Sequence, residues 1–455
     1  MFHSVRRISC QIFSTLKFSK RCLVTNTTVL KNGVRVAVEE THSPLVCLSL
    51  FIETGPRFET SDNNGISHFI EHMAFKGFNS MKKDELAKCL NNIGAQLSAT
   101  TTKEIQIFSG KCTSEHTTDL IDILSQIITN LEFSECEIQL AKENIFRELT
   151  DYENSPKLVV FDYLHQAAYQ GTPLAQRVIG SRKNIEKFDG YEAFCFINKQ
   201  YKPENMVLAV SGGIRHVEIF SHAQKRFSHI CSDTINYSNY ELCRYTGSSI
   251  VYRDDSMPFA HVAIALEVPG YGNPDYWSLL VANCILGSWD KSQGGGDSHG
   301  AYLSRAAATD NLCQSYESFY IAYRDTGLWG VYYIAQRENL DDLLYNVQQQ
   351  WMHFCASITD PEVERGVNFA KLKLAKEVEN GIYSSYDIGL QILYTNKRLS
   401  LLDKYKNLSF VTAKNIKEVG HKYIYDRCPV VSAIGPTECL PDYNRVRSDM
   451  YWLRY

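Results

Sequence analysis

The sequence predicts an α+β protein of two homologous halves, each a mostly antiparallel β-sheet packed with helices. Three observations carry this reading. A chain of 455 residues exceeds what one hydrophobic core usually supports. "LSLFIETG" (Leu48 to Gly55) resembles "AIALEVPG" (Ala263 to Gly270), and "VLAVSG" (Val207 to Gly212) resembles "VVSAIG" (Val430 to Gly435), in the same order and at similar spacing. Each run is apolar, rich in strand-forming residues and ends at a glycine, as buried strands do. Long helical patterns fill the stretches between them.

The first 25 residues stand apart. They carry Arg6, Arg7, Lys17, Lys20 and Arg21, and no acidic residue precedes Glu39. A basic, serine-containing, acid-free stretch has the profile of a mitochondrial transit peptide. Residues 26–230 then form the first half and 248–455 the second. Between them "CSDTINYSNYELCRYTG", residues 231–247, is polar and aperiodic and reads as a linker.

Composition narrows the function. Apolar content of 44%, charged content of 22% and a net charge of -4 are those of a globular protein and argue against a nucleic-acid binder. No apolar run reaches the ~18 residues of a membrane span. The longest, "LVCLSLFI", reads as a buried strand, so no transmembrane segment is expected. The cysteines form no Cys-x-x-Cys pair. They read as small buried hydrophobes in a reducing compartment, not as disulfides or thiolate ligands. The glycines of "GSWDKSQGGG" lack the strand-to-helix context of a phosphate loop and read as a flexible turn.

The chemistry concentrates in "GISHFIEHMAFKG" (Gly65 to Gly77). It follows the turn-rich "SDNNG", and Ser67 is expected to cap a helix there. His68 and His72 then fall one turn apart on one face, with Glu71 beside them. Imidazoles at i and i+4 can grip one zinc ion, and a neighbouring glutamate can act as general base. This is the inverted His-x-x-Glu-His order. The competing reading is a half-buried polar face of an ordinary helix.

A zinc site needs a third protein ligand. Downstream, "FSECEIQLAKENIFRELTDYENSP" opens with a capping box at Ser134 and Glu137. Ile138, Ala141, Ile145 and Leu149 follow as an apolar stripe at helical spacing. Glu148 lies on the shoulder of that stripe, and a carboxylate turned toward a core needs a partner. Glu137 and Glu143 are the competitors on the same helix.

The whole chain resembles the M16 family of metallopeptidases, in the branch that holds processing-peptidase β subunits and core protein 1 of the cytochrome bc1 complex. The resemblance rests on "HFIEHMAFKG", "VVFDYLHQAAYQGTPLAQRVIG", "YKPENMVLAVSGG", "RDTGLWGVYY", "KYIYDRCPVVSAIGP" and "LPDYNRVRSDMYWLRY". It implies an M16/LuxS-like fold of two clamped halves, with a metal site in the first only. In keeping with that, the second half has "WSLLVANCILG" where the first has "GISHFIEHMAFKG". It further implies Zn2+ held by His68, His72 and Glu148, with Glu71 as the catalytic base in peptide hydrolysis.

The implied function is that of a zinc metalloendopeptidase, the β-type subunit of a pair with a catalytically silent α-type partner. Such pairs remove presequence peptides from imported mitochondrial proteins. The alternative is a core protein 1-type structural subunit, with or without residual peptidase activity, beside a core protein 2-like M16 subunit and other cytochrome bc1 subunits. Either role implies the mitochondrial matrix or the matrix face of the inner membrane. Substrate would add a strand along "GAQLSATTTKEIQIFSG", where Ser98 stands in for the family's asparagine. Of two acidic positions that meet a substrate arginine in the family, Asp162 is kept and the other is Leu158. A glutamate that supports the family's metal site is Ala141 here; losing such a partner typically costs 10–100-fold in affinity or activity.

Overall fold

Two six-stranded sheets organise the chain in the computed structural model, which describes residues 25–78, 81–230, 242–293 and 296–451. The expected transit peptide lies outside the described residues except for Thr25, which opens the first strand, and so does most of the expected linker. The first sheet runs in the order β1 (Thr25–Val29), β2 (Arg35–Glu40), β8 (Met206–Gly212), β3 (Leu45–Ile52), β7 (Gln106–Thr113), β6 (Gln96–Thr101). A short ribbon of β4 (Gly77–Phe78) and β5 (Met81–Lys82) lies apart from it. The second sheet runs β11 (Ser288–Asp290), β12 (Ser315–Ala322), β13 (Thr326–Ala335), β10 (Ala260–Pro269), β14 (Val430–Gly435), β9 (Ser249–Arg253).

Each sheet has one parallel pair, β2 with β8 and β9 with β14, and is otherwise antiparallel. Without the edge strands β1 and β11, the two strand orders coincide. β3 then matches β10 and β8 matches β14, the strands on which the repeated sequence runs fall. The halves are α+β, with mixed sheets.

β3 is buried along its length except at Leu45, because both of its faces are covered. Val46, Leu48, Leu50 and Ile52 join the core beneath the first half's own helices. Phe51 points the other way, into a core that contains Ile388 and Ile392 from the second half. These belong to a helix that crosses over from the second half. The helix Pro156–Ala168 of the first half lies on the second sheet, where Val160, Leu164 and Ala167 meet Ala263, Ala265 and Val430. The helix Gly381–Thr395 lies in turn on the first sheet. At Gly389 a Cβ would fall 2.0 Å from the Phe51 ring, so only glycine permits this approach.

The seam also buries charge. Arg57 forms a two-pronged pair with Asp325 at 2.7 Å on each side and a second pair with Glu104. Glu104 also accepts from the Tyr394 hydroxyl at 2.7 Å. Among the described residues, no helix is long and apolar enough to cross a membrane.

Candidate metal centre

The His-x-x-Glu-His stretch forms the helix α1 (Ile66–Met73). Ser67 does not cap it; the cap position is Gly65, at φ 98°. A Cβ on Gly65 would come 2.5 Å from the Ile179 carbonyl oxygen, and one on Gly180 would come 2.4 Å from the Asn64 carbonyl oxygen. The two glycines therefore let two loops touch. The acceptor that an N-cap side chain would provide comes instead from Glu59, which is 3% exposed. Its carboxylate accepts the amides of Gly65 (2.7 Å) and Ser67 (2.9 Å) and the side-chain amide of Asn64 (2.9 Å). Burial pushes the Glu59 carboxyl up, and these bonds pull it back in part.

The second helix of the site, α2 (Glu135–Glu153), begins at Ser134, whose hydroxyl accepts the Glu137 amide at 3.4 Å. The reciprocal arm of the expected capping box is not made; the Glu137 carboxylate lies 3.7 Å from Lys76 instead. Ile138, Ala141, Ile145 and Leu149 are buried as the stripe predicts, and Glu143 is exposed.

Glu148, one step off the stripe, faces α1. Its Oε2 is 3.2 Å from His68 Nε2 and 2.9 Å from His72 Nε2, and the two Nε2 atoms are 3.2 Å apart. Among the described residues, this is the one group of three that could hold a metal ion. A tetrahedral ion with bonds of about 2.0–2.1 Å separates its ligand atoms by roughly 3.3 Å, so the donor set fits zinc in kind and spacing.

Two imidazole nitrogens that face each other beside one carboxylate make a place that favours positive charge. Desolvation pulls the His68 imidazole down, but hydrogen bonds to Glu148 and Glu71 outweigh it and raise it to about 9. Hydrogen bonds from both imidazoles hold the Glu148 carboxyl far below the usual carboxylate range. Bound metal would supply the charge that a proton supplies in its absence.

Glu71 stands on the rim of this cluster, with Oε2 3.6 Å from His68 Nδ1. It also accepts a 2.5 Å hydrogen bond from the Thr101 hydroxyl at the end of β6. Burial raises its carboxyl, but the bonds from His68 and Thr101 prevail and the net shift is downward. Thr101 is itself tied in place. Gln106 Nε2 donates to Thr101 Oγ1 (3.3 Å) and to the Ser67 carbonyl (2.9 Å), while Tyr201 donates to Gln106 Oε1 (2.5 Å). The sequence signals none of these three residues, because strand alternation alone separates Thr101 from Thr100 and Thr102.

The other expected site residues lie apart from the cluster. Ser98 is exposed on the face of β6 opposite to Thr101. β6 is an edge strand, bonded only to β7 among the described strands. Asp162 is 6% exposed on the helix Pro156–Ala168, which we label α3, with Arg177 Nε at 3.5 Å. Lys103 lies near enough to act on the same carboxylate, while burial pulls its own ammonium down to about 8. Leu158, on the first turn of α3, is 42% exposed. Ala141 is enclosed in apolar core and offers the His68, His72 and Glu148 cluster no polar support.

The family model described as insulinase (peptidase family M16) matches residues 35–182, and that described as peptidase M16 inactive domain matches residues 191–369. The mitochondrial cytochrome b-c1 complex subunit 1 of Bos taurus is 39% identical over 433 residues, covering 95% of this chain and 90% of its own. The mitochondrial-processing peptidase subunit beta of Homo sapiens is 38% identical over 431 residues, covering 94% of this chain and 88% of its own. A chain in a solved structure of complex III2 from Candida albicans, bound to Inz-5, is similar with a TM-score of 0.85 at 25% identity. That likeness covers 94% of this chain and 100% of the other.

Proposed function

The chain belongs to the M16 peptidase family, and from that premise we propose that it is a mitochondrial zinc metalloendopeptidase subunit of the processing-peptidase β type. Residues 1–25 serve as its targeting segment, and it works with an α-type M16 partner to remove presequences. The observation that carries this reading is the meeting of His68, His72 and Glu148 at one point, with Glu71 fixed beside them. Those three side chains would hold zinc, which when bound supplies Lewis acidity toward a scissile carbonyl.

The rest of the work falls to the protein's own groups. Glu71, kept ionised and aimed by Thr101, takes the proton of the attacking water and returns it to the leaving amine. The free edge of β6 receives an extended peptide as an added strand, with Ser98 beside it. Asp162 is buried with Arg177 and Lys103 already beside it, and Leu158 offers a basic substrate side chain no carboxylate. Recognition of arginine is therefore weaker than a pair of free acids would provide.

A second reading, a core protein 1-type structural subunit at the matrix face of the inner membrane, is favoured by one feature. Ala141, on the same helix as Glu148, is buried in apolar core and lends no polar group to a donor set that otherwise fits zinc. Reconstitution of the full chain with an α-type partner separates the two. Presequence cleavage that is lost in Glu71→Gln, with about one zinc per chain retained, establishes the peptidase. A well-formed, zinc-loaded pair without cleavage, together with co-purification with cytochrome b and cytochrome c1, establishes the structural role.

A further inference from the structure

A cavity of about 420 Å³ opens where the segment after β10 meets two helices of the second half, Asp360–Glu379 and Gly381–Thr395. None of the metal-centre residues lines it. Its volume is in the range of small-molecule sites. Its wall is aromatic: Tyr271, Tyr276 and Trp277 on one side, Tyr383 and Tyr386 on the other. Tyr271 and Tyr276 pack with ring centroids 5.4 Å apart, and Tyr276 and Trp277 likewise.

The charged groups that face this space are Glu377, Asp387, Lys397 and Lys404. Asp387 is fully occupied. It accepts from Lys404 at 2.6 and 2.7 Å, from Gln391 Nε2 at 2.9 Å and from Arg398. Lys404 is accounted for by the same pair, and Lys397 is exposed to solvent. Glu377 is different. It is half-buried and takes part in no hydrogen bond or ion pair among the described residues. Burial raises its carboxyl, although Lys373 and Lys404 are near enough to pull it back in part. A partly desolvated carboxylate is stabilised by a counter-cation, and aromatic faces attract one as well.

We propose that this cavity binds an amphipathic amine, with an apolar body against the aromatic wall and a single ammonium head on Glu377. The amine could be a free small molecule or a lysine side chain flanked by apolar residues in a peptide; the chemistry is shared. The site stands on residues independent of the metal centre, so its failure would leave the peptidase reading untouched.

The test titrates the full chain by ligand-observed NMR with three probes of one shape: phenethylammonium, neutral phenethyl alcohol and anionic 3-phenylpropionate. Each is run against the unaltered chain, Glu377→Gln and Leu390→Trp, the last intended to fill the cavity. The ammonium is expected to bind at least about ten-fold tighter than the alcohol. Glu377→Gln should erase that preference and leave alcohol binding unchanged. Leu390→Trp should weaken both, and an unaltered thermal midpoint shows that each variant has folded. Equal binding of all three probes, a preference for the carboxylate, or an ammonium preference that survives Glu377→Gln would overturn the proposal. A lysine-bearing amphipathic peptide that displaces phenethylammonium supports the site as a peptide-binding one, and failure to displace supports a site for free amines.

Discussion

Replacing Glu59 by alanine removes the acceptor on which the start of the helix carrying His68 and His72 depends. The carboxylate takes three donors, Gly65 N at 2.7 Å and Ser67 N and Asn64 Nδ2 at 2.9 Å, in a site only 3% exposed. Each buried donor left unsatisfied costs roughly 1–3 kcal/mol. Water admitted to the vacated space offsets part of that, so about 4 kcal/mol is expected for Glu59→Ala. Glu59→Gln keeps the shape but turns an amide nitrogen toward one or two of the donors, and about half the loss follows. At about 2–4 °C per kcal/mol for a unit of this size, the thermal midpoint should fall by roughly 10 °C for alanine and 5 °C for glutamine. The assay is thermal unfolding of the full chain by circular dichroism, with zinc content measured on the folded protein. Because His68 and His72 ride on this helix, zinc occupancy should fall in the same order. A midpoint within about 3 °C of the parent for Glu59→Ala would refute the capping argument, as would a larger loss for glutamine than for alanine.

Thr101→Val deletes the hydroxyl that holds Glu71 while keeping the shape. A hydrogen bond to a charged group contributes about 1.5–3 kcal/mol, so kcat on a presequence peptide should drop roughly 10- to 100-fold, with KM and zinc content unchanged. An unaltered kcat would show that Glu71 needs no such tether. Arg57→Met leaves Glu104 and Asp325 without their cation in the seam between the halves. About 3–5 kcal/mol of stability should be lost, read as a lower urea midpoint; a shift below about 1 kcal/mol would assign the pair no stabilising role. His165 is buried between the Phe161 carbonyl (2.6 Å) and the Tyr323 hydroxyl (2.7 Å), and burial, aided by Lys103, depresses it to about 3. The unfolded chain protonates this group near pH 6.5 and the folded chain does not. Its contribution is therefore complete above about pH 6.5 and is lost as pH falls toward 3. Unfolding should take up one proton more through His165 at about pH 5 than at pH 7.5, and His165→Gln should reduce that pH slope. An unchanged slope in the variant would refute the assignment.

Several features of the site were legible because they are local. Spacing along one helix brings His68, Glu71 and His72 to one side whatever surrounds them. The stripe Ile138, Ala141, Ile145 and Leu149 orients its helix against a core, which turns Glu148 inward from the stripe's edge. Glu137 and Glu143 sit on the same helix, and the contacts that separate them from Glu148 are tertiary: one reaches Lys76 and the other faces solvent. Ser67 illustrates the opposite case. A serine after a turn is a sound candidate for a cap, yet the amides of a helix end accept any correctly aimed oxygen, and here a buried carboxylate from another turn supplies it.

The two-fold repeat, the buried strands and the pairing of His68 with His72 could be read from the chain alone, because strand burial and helix periodicity follow from side chains a few residues apart. Which sheet each helix covers is settled by long-range packing. An apolar stripe on α3 or on the helix Gly381–Thr395 demands burial but does not name its partner, and both helices satisfy it on the opposite half. The same holds for the fastening of Glu71 by Thr101, the clasp of Gly65 and Gly180, and the enclosure of Asp162 beside Arg177. Each depends on the meeting of segments distant in the chain, and no local pattern encodes such a distance.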